Sequence, residues 1–95
     1  MRLKLSRRAE ADLADIRDYS VERFGVDRAI AYLDAIEQAF RRILLYPEIG
    51  EEYPAVAPAI RSLACQRHRI FYVAEDRTIV IQRILHATMD VYRHF

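Results

Sequence analysis

The sequence predicts an α+β domain, a helical hairpin packed on one face of a mostly antiparallel four-stranded sheet, in the order β-α-α-β-β-β. Three observations predict it. Two long stretches repeat apolar residues at helical spacing, with only "FGVD" between them. Three apolar runs follow, joined by "QR" and "DR", and joins that short demand antiparallel pairing. An alternating "RLKLS" precedes the helices and suits a short strand with one buried face.

Each element has its own local reason. Ser6 stands where an N-cap belongs, its hydroxyl able to accept a free amide of the first turn. The first helix then carries Ala9, Leu13, Ile16 and Phe24 on one stripe, with Ser20 interrupting it, and Gly25 ends it. Asp27 is the candidate cap of the second helix, whose seam is Ala29, Leu33, Ile36, Phe40 and Ile43. Tyr46-Pro47 stops that helix, because proline disfavours helical backbone at the residue before it. "PEIGEEYPAVAPA" reads as a loop rich in breakers and acids. The strands are "AIRSLAC", "HRIFYVAE" and "TIVIQRILHA", the last apolar on both alternating sets and therefore central or covered on both faces.

The 95 residues form a single domain, 1–95. A chain of this size buries roughly 60–65% of its unfolded surface, enough for one core. Net charge is +1, so bulk charge points to neither nucleic acid nor membrane. From Arg61 onward, however, six Arg and all three His stand against three acids. Cys65 is alone, and no apolar run approaches the ~18 residues of a membrane span. The expected location is the cytoplasm. A single Lys4 against fourteen Arg nearly excludes lysine chemistry.

Several chemistries lack their residues. Gly25 and Gly50 are the only glycines, so there is no phosphate loop. Cys65 and the histidines have no zinc spacing, and no metal or cofactor is expected. Ser62 has no identifiable base and orienting acid. The carboxylates of the first helix, Glu10 to Glu22, alternate with arginines and read as a solvated face with ion pairs. Phe24, Phe40 and Phe71 read as core. Tyr19, Tyr32, Tyr46, Tyr53 and Tyr72 suit either the margin of a core or a docking surface.

Arg83 and His86 interrupt the most apolar strand. Two readings stand side by side. In one, Arg83 packs its stem along the sheet with its guanidinium at the edge. In the other, Arg69, Arg83, His86, Arg93 and His94 make a cationic patch on the sheet face that the helices leave open.

"SRRAEADLADI" with the following "Y" and "ERFG", then "AxxYLxxIxxxF", "PxIG", "HRIFYV" and "RILHxxMDxxxH", resemble the RelE/ParE superfamily of type II toxins in order along the whole chain. "HRIFY" with "RILHxxMD" looks most like the ParE branch. The resemblance implies a toxin with the RelE/ParE fold, held inactive by a ParD-like antitoxin and associated with poisoning DNA gyrase. DNA contact would then be indirect, through antitoxin or gyrase. The RelE branch instead cuts ribosome-bound mRNA, and that endoribonuclease reading is the alternative, beside a non-toxic interaction module.

Cleavage needs cations on the scissile phosphate and a group to handle the attacking 2′-hydroxyl. By the resemblance, the nuclease branch's paired lysines fall at Ile60 and Ser62 and its strand arginine at Arg69. The arginine past the final strand falls at Thr88, and the terminal tyrosine near Tyr92 or His94. With three cationic positions apolar or neutral, binding is favoured over catalysis, and no catalytic residue is assigned. The expected target-binding set is Arg69, Arg83, His86, Met89, Asp90, Arg93 and His94, with Asp90 capping or pinning the tail through Arg93. The expected antitoxin groove is lined by Tyr19, Phe24, Leu33, Tyr53 and Tyr72.

Overall fold

The computed structural model describes residues 1–53 and 60–95. The chain runs through β1 (Arg2–Leu5), α1 (Arg7–Phe24), α2 (Val26–Leu45), β2 (Glu51–Glu52), β3 (Ile60–Cys65), β4 (His68–Glu75) and β5 (Thr78–His86). A 3₁₀ turn follows over Val91–Arg93. The helical hairpin on a mostly antiparallel sheet is as the sequence predicts, with one strand more.

Ser6 starts α1 by accepting the Ala9 N–H on its Oγ at 3.0 Å. The same hydroxyl donates to the Gln82 carbonyl at 2.7 Å, so the cap also ties the helix to the last strand. Gly25 alone separates the helices, with φ +89° and its N–H on the Val21 carbonyl. That φ is strained for any residue with a Cβ. Asp27 does not cap α2; it lies within the first turn, where its charge complements the helix dipole.

The sheet has five strands in the order β1-β5-β4-β3-β2. The additional strand, β2, comes from the acidic stretch that reads as loop. Glu51 and Glu52 pair antiparallel with Ser62 and Arg61. The Arg61 guanidinium donates to the Gly50 carbonyl at 2.9 Å and to Glu52 at 3.2 Å, so polar contacts rather than an apolar pattern hold β2. Residues 54–59 of the predicted loop lie outside the described residues. β1 pairs with β5 in parallel, Leu3 opposite Ile79 and Leu5 opposite Ile81.

A two-residue turn joins β4 to β5, with Asp76 at φ +46° and Arg77 at φ +62°. It sets the pairs from Glu75–Thr78 to Tyr72–Ile81. Gln82 is then an extra residue. Beyond this bulge Phe71 faces Arg83, and His68 faces His86.

Ile36 and Ile43 of α2 meet Ile70, Tyr72, Ile79 and Ile81 in the main core between helices and sheet. Each fully buried side chain of this size contributes about 1.5–3 kcal/mol over its exposed state. A smaller cluster, Ile60, Phe71 and Leu85, lies on the opposite face. The tail covers it: Val91 packs there, and the Phe95 ring lies 5.2 Å from that of Phe71. Two aromatic expectations need correction. Phe24 is 50% exposed at the hairpin's end, because the interhelix break falls directly after it and α1 has left the sheet. Tyr72, expected on a docking surface, is fully buried, because its strand neighbours Ile70 and the facing Ile81 place it under the helices.

Candidate functional site

A groove of about 830 Å³ opens between the helical hairpin, the β3–β4 turn, the end of β5 and the tail. Asp12, Tyr19 and Phe24 of α1 and Arg28 and Tyr32 of α2 form its helical side. Arg67, His68, Arg83, His86, Met89 and His94 complete it.

Beyond Ile81 the outer edge of β5 has no β1 partner, and α1 takes over. Asp12 Oδ2 accepts the backbone N–H of Ile84 at 2.8 Å. Its two carboxylate oxygens also accept from Arg83 Nε and Nη2, both at 2.9 Å. The side chains are only 12% and 15% exposed. This forked pair holds the guanidinium's proton even more firmly than usual, with the Asp12 hydrogen bond as the largest cause. Arg83 Nη1 lies 3.4 Å from His94 Nδ1, which brings the tail onto the same assembly.

A second chain of contacts crosses from α2 to β5. The Arg67 N–H donates to Tyr32 Oη at 3.1 Å, and Tyr32 Oη lies 2.5 Å from His68 Nδ1. The His68 and His86 rings stand edge to face, 5.3 Å apart. Thr88 donates its N–H to His86 Nδ1 at 3.2 Å. Burial, with a smaller push from His86, lowers the His68 pKa below its ordinary value; Asp12 acts weakly the other way. Burial raises the Tyr32 hydroxyl above its ordinary value, against the Arg67 N–H.

The expected target-binding residues divide. Arg83, His86, Met89 and His94 come together in the groove. Asp90 and Arg93 sit exposed in the tail, where the Arg93 N–H bonds the Asp90 carbonyl at 3.2 Å. Arg69 is on the opposite face beside Phe71, donating to Ser62 Oγ at 2.9 and 3.2 Å, with Glu51 3.7 Å away. A single cationic patch on an open sheet face is therefore not formed. The tail occupies that face, and Asp12 pairs with Arg83.

The antitoxin set divides as well. Tyr19 and Phe24, their rings 6.4 Å apart, line the groove. Leu33 lines a second, smaller cleft of about 410 Å³ with Leu13 and Phe40. Tyr53 packs edge-on against Phe71 at 5.5 Å on the far face. Tyr72 reaches no surface; its hydroxyl donates to the Pro47 carbonyl at 2.7 Å and accepts the Gly50 N–H at 2.9 Å.

Asp12, Arg28, Arg67 and His68 are site residues that pattern reading missed, and Tyr32, read as a margin or docking tyrosine, joins them. The register carries the signal for His68. Continued unbroken from the "DR" turn, it pairs His68 with Leu85; the extra residue Gln82 brings His86 opposite instead. Among the described residues no three His, Cys, Asp or Glu side chains gather as a metal site, and no helix is long and apolar enough to cross a membrane.

Comparison with known proteins identifies the family and the fold. A family model described as "ParE toxin of type II toxin-antitoxin system, parDE" matches residues 3–91. Toxin ParE1 of Mycobacterium tuberculosis is 38% identical over 94 residues, 98% of this chain and 96% of the relative. Toxin ParE1 of Caulobacter vibrioides is 35% identical over 91 residues, 96% of this chain and 94% of the relative. Among solved structures, the chromosomal ParDE system from P. aeruginosa superposes with a TM-score of 0.78 at 26% identity, covering 90% of this chain and 95% of that one. With the fold, the order of motifs and the full-length match in agreement, the chain belongs to the ParE toxin family of type II toxin–antitoxin systems.

Proposed function

We propose that this toxin acts in the cytoplasm by binding DNA gyrase, without enzymatic chemistry of its own, and that a ParD-like antitoxin neutralises it. The observation carrying this reading is the shared groove. Tyr19 and Phe24, from the antitoxin set, line the same surface as Arg83, His86, Met89 and His94, from the target set. An amphipathic antitoxin segment laid over the aromatic rim covers the cationic end as well, so one occupant excludes the other. Carboxylates on that segment would fix its register against Arg28 and Arg67.

RNA cleavage finds little support in the side chains. Ile60 and Ser62 stand where the nuclease branch carries lysines; both are buried and neither is cationic. Arg69, at the strand-arginine position, has its guanidinium on Ser62. Losing one transition-state donor costs about 2.7–4 kcal/mol, and here several are missing.

The test sets the purified chain, free of antitoxin, against gyrase supercoiling and against ribosomes carrying mRNA. Inhibited supercoiling or trapped cleaved DNA, reversed by the antitoxin and accompanied by intact mRNA, is the expected result. Codon-specific mRNA cuts with unaffected gyrase would reverse the assignment.

A further inference from the structure

The two imidazoles in the groove are both engaged through Nδ1. Tyr32 Oη, which accepts from the Arg67 N–H, lies within hydrogen-bond distance of His68 Nδ1. The Thr88 N–H donates to His86 Nδ1, and Thr88 Oγ1 lies 2.8 Å from the same nitrogen. Each ring is therefore left with Nε2 for an outside partner, and on His86, whose Nδ1 accepts from the Thr88 N–H, Nε2 carries the proton of the neutral ring. The result is two imidazole Nε2 atoms on adjacent strands, with ring centres 5.3 Å apart, on side chains that line one cavity.

The charges around them favour an anion. Of the two acids on the lining, Asp12 is neutralised by Arg83, leaving Asp15 on α1. Against it stand Arg28 and Arg67, and neither guanidinium forms an ion pair among the described residues. The α1 end of the groove offers something else, the exposed rings of Tyr19 and Phe24. A volume of about 830 Å³ falls within the range of small-molecule sites.

We propose that this groove is a binding site for a nucleoside monophosphate, with His68, His86 and Arg67 receiving the phosphate oxygens and Phe24 and Tyr19 the base. Arginine and imidazole N–H groups are the donors that phosphate accepts best, and aromatic rings stack on any base. The site shares its residues with the groove proposed for gyrase and antitoxin, but the nucleotide needs neither partner and is tested on the full chain alone.

The experiment is an NMR titration of the imidazole ¹⁵N resonances with AMP, adenosine and inorganic phosphate in parallel. AMP should shift the Nε2 signals of both His68 and His86 saturably, and inorganic phosphate should compete with it. Adenosine should bind at least about tenfold more weakly, as expected for loss of charge-assisted hydrogen bonds. Arg67→Gln, at an exposed turn position, should weaken AMP binding by about tenfold while leaving the circular dichroism and unfolding midpoint unchanged. His86→Gln should do the same, and Phe24→Ala should weaken AMP but not phosphate. Absence of shifts at both imidazoles, or unchanged affinity in Arg67→Gln and His86→Gln, overturns the site. Adenosine binding as tightly as AMP removes the oxyanion assignment, and phosphate binding as tightly as AMP removes the nucleoside.

Discussion

Asp12 and Arg83, 71 residues apart in sequence, meet in a forked pair with both hydrogen bonds at 2.9 Å. Because Asp12 also accepts the Ile84 N–H, one carboxylate joins α1 to β5 twice over. Removing it leaves a largely buried guanidinium and a backbone donor without their acceptor. Asp12→Ala should lower the unfolding free energy by about 2–4 kcal/mol, read from urea denaturation. Pairing it with Arg83→Met should recover part of that loss. Glu37→Ala, which breaks an exposed pair with Arg41 at 3.1 Å, should stay within about 0.5 kcal/mol.

The "PxIG" motif has a packing explanation. A Cβ on Gly50 would lie 2.7 Å from Tyr72 Oη and 2.9 Å from the Ser62 carbonyl. Gly50→Ala should therefore cost about 1–3 kcal/mol with an unchanged m-value. Tyr72→Phe keeps the ring but leaves the Pro47 carbonyl and Gly50 N–H unmatched, and should cost about 1–2 kcal/mol.

His68 gives stability a pH dependence. Burial and His86 lower its folded pKa below the ordinary 6.5. The unfolded state then binds the proton more readily, so stability is full above 6.5 and falls as pH drops through that value toward the folded pKa. Asp12, which acts in the opposite direction, limits the fall. Unfolding midpoints measured between pH 7.5 and about 5 should decline more steeply for the wild type than for His68→Gln. A parallel decline in the two proteins would assign the slope to other groups.

The tail has a structural role to separate from any role in toxicity. Phe95→Ala removes a ring 5.2 Å from the buried Phe71 and should cost about 1 kcal/mol, read as a shift in urea midpoint. Deleting 91–95 also strips Val91 from the outer cluster, so lost toxicity in that truncation mixes folding with function. The doubly substituted Arg93→Ala, His94→Ala chain is the cleaner probe. Growth arrest on induction should weaken while thermal stability changes by less than about 1 kcal/mol.

Local chemistry made much of the fold legible. The Ser6 cap, the Gly25 break, the α2 seam and the short turns depend on neighbours in sequence, and each is present in the structure. What stayed hidden depends on distant partners. Glu51 and Glu52 look like loop until Ser62 and Arg61 pair with them. Asp12 looks like one more solvated acid of α1 until the bare edge of β5 arrives beside it. Tyr72 has the composition of a docking residue, and the helices over its ring together with Gly50 and Pro47 at its hydroxyl account for its burial. The candidate site was half legible: its histidine and arginine on β5 stand out against an apolar strand, whereas the bulge that pairs His86 with His68 has no mark in the pattern.

The parallel pairing of β1 with β5 also bears on when the molecule comes into being on the ribosome. β1 has no sheet partner until Thr78–Ile81 has been synthesised, and the groove takes walls from both halves of the chain. Such long-range closure makes completion a late event, since non-local contacts form only after the intervening loop entropy is lost. Until β5 is in place, neither the sheet edge that receives β1 nor the far wall of the groove exists, so the surface and the fold are completed together.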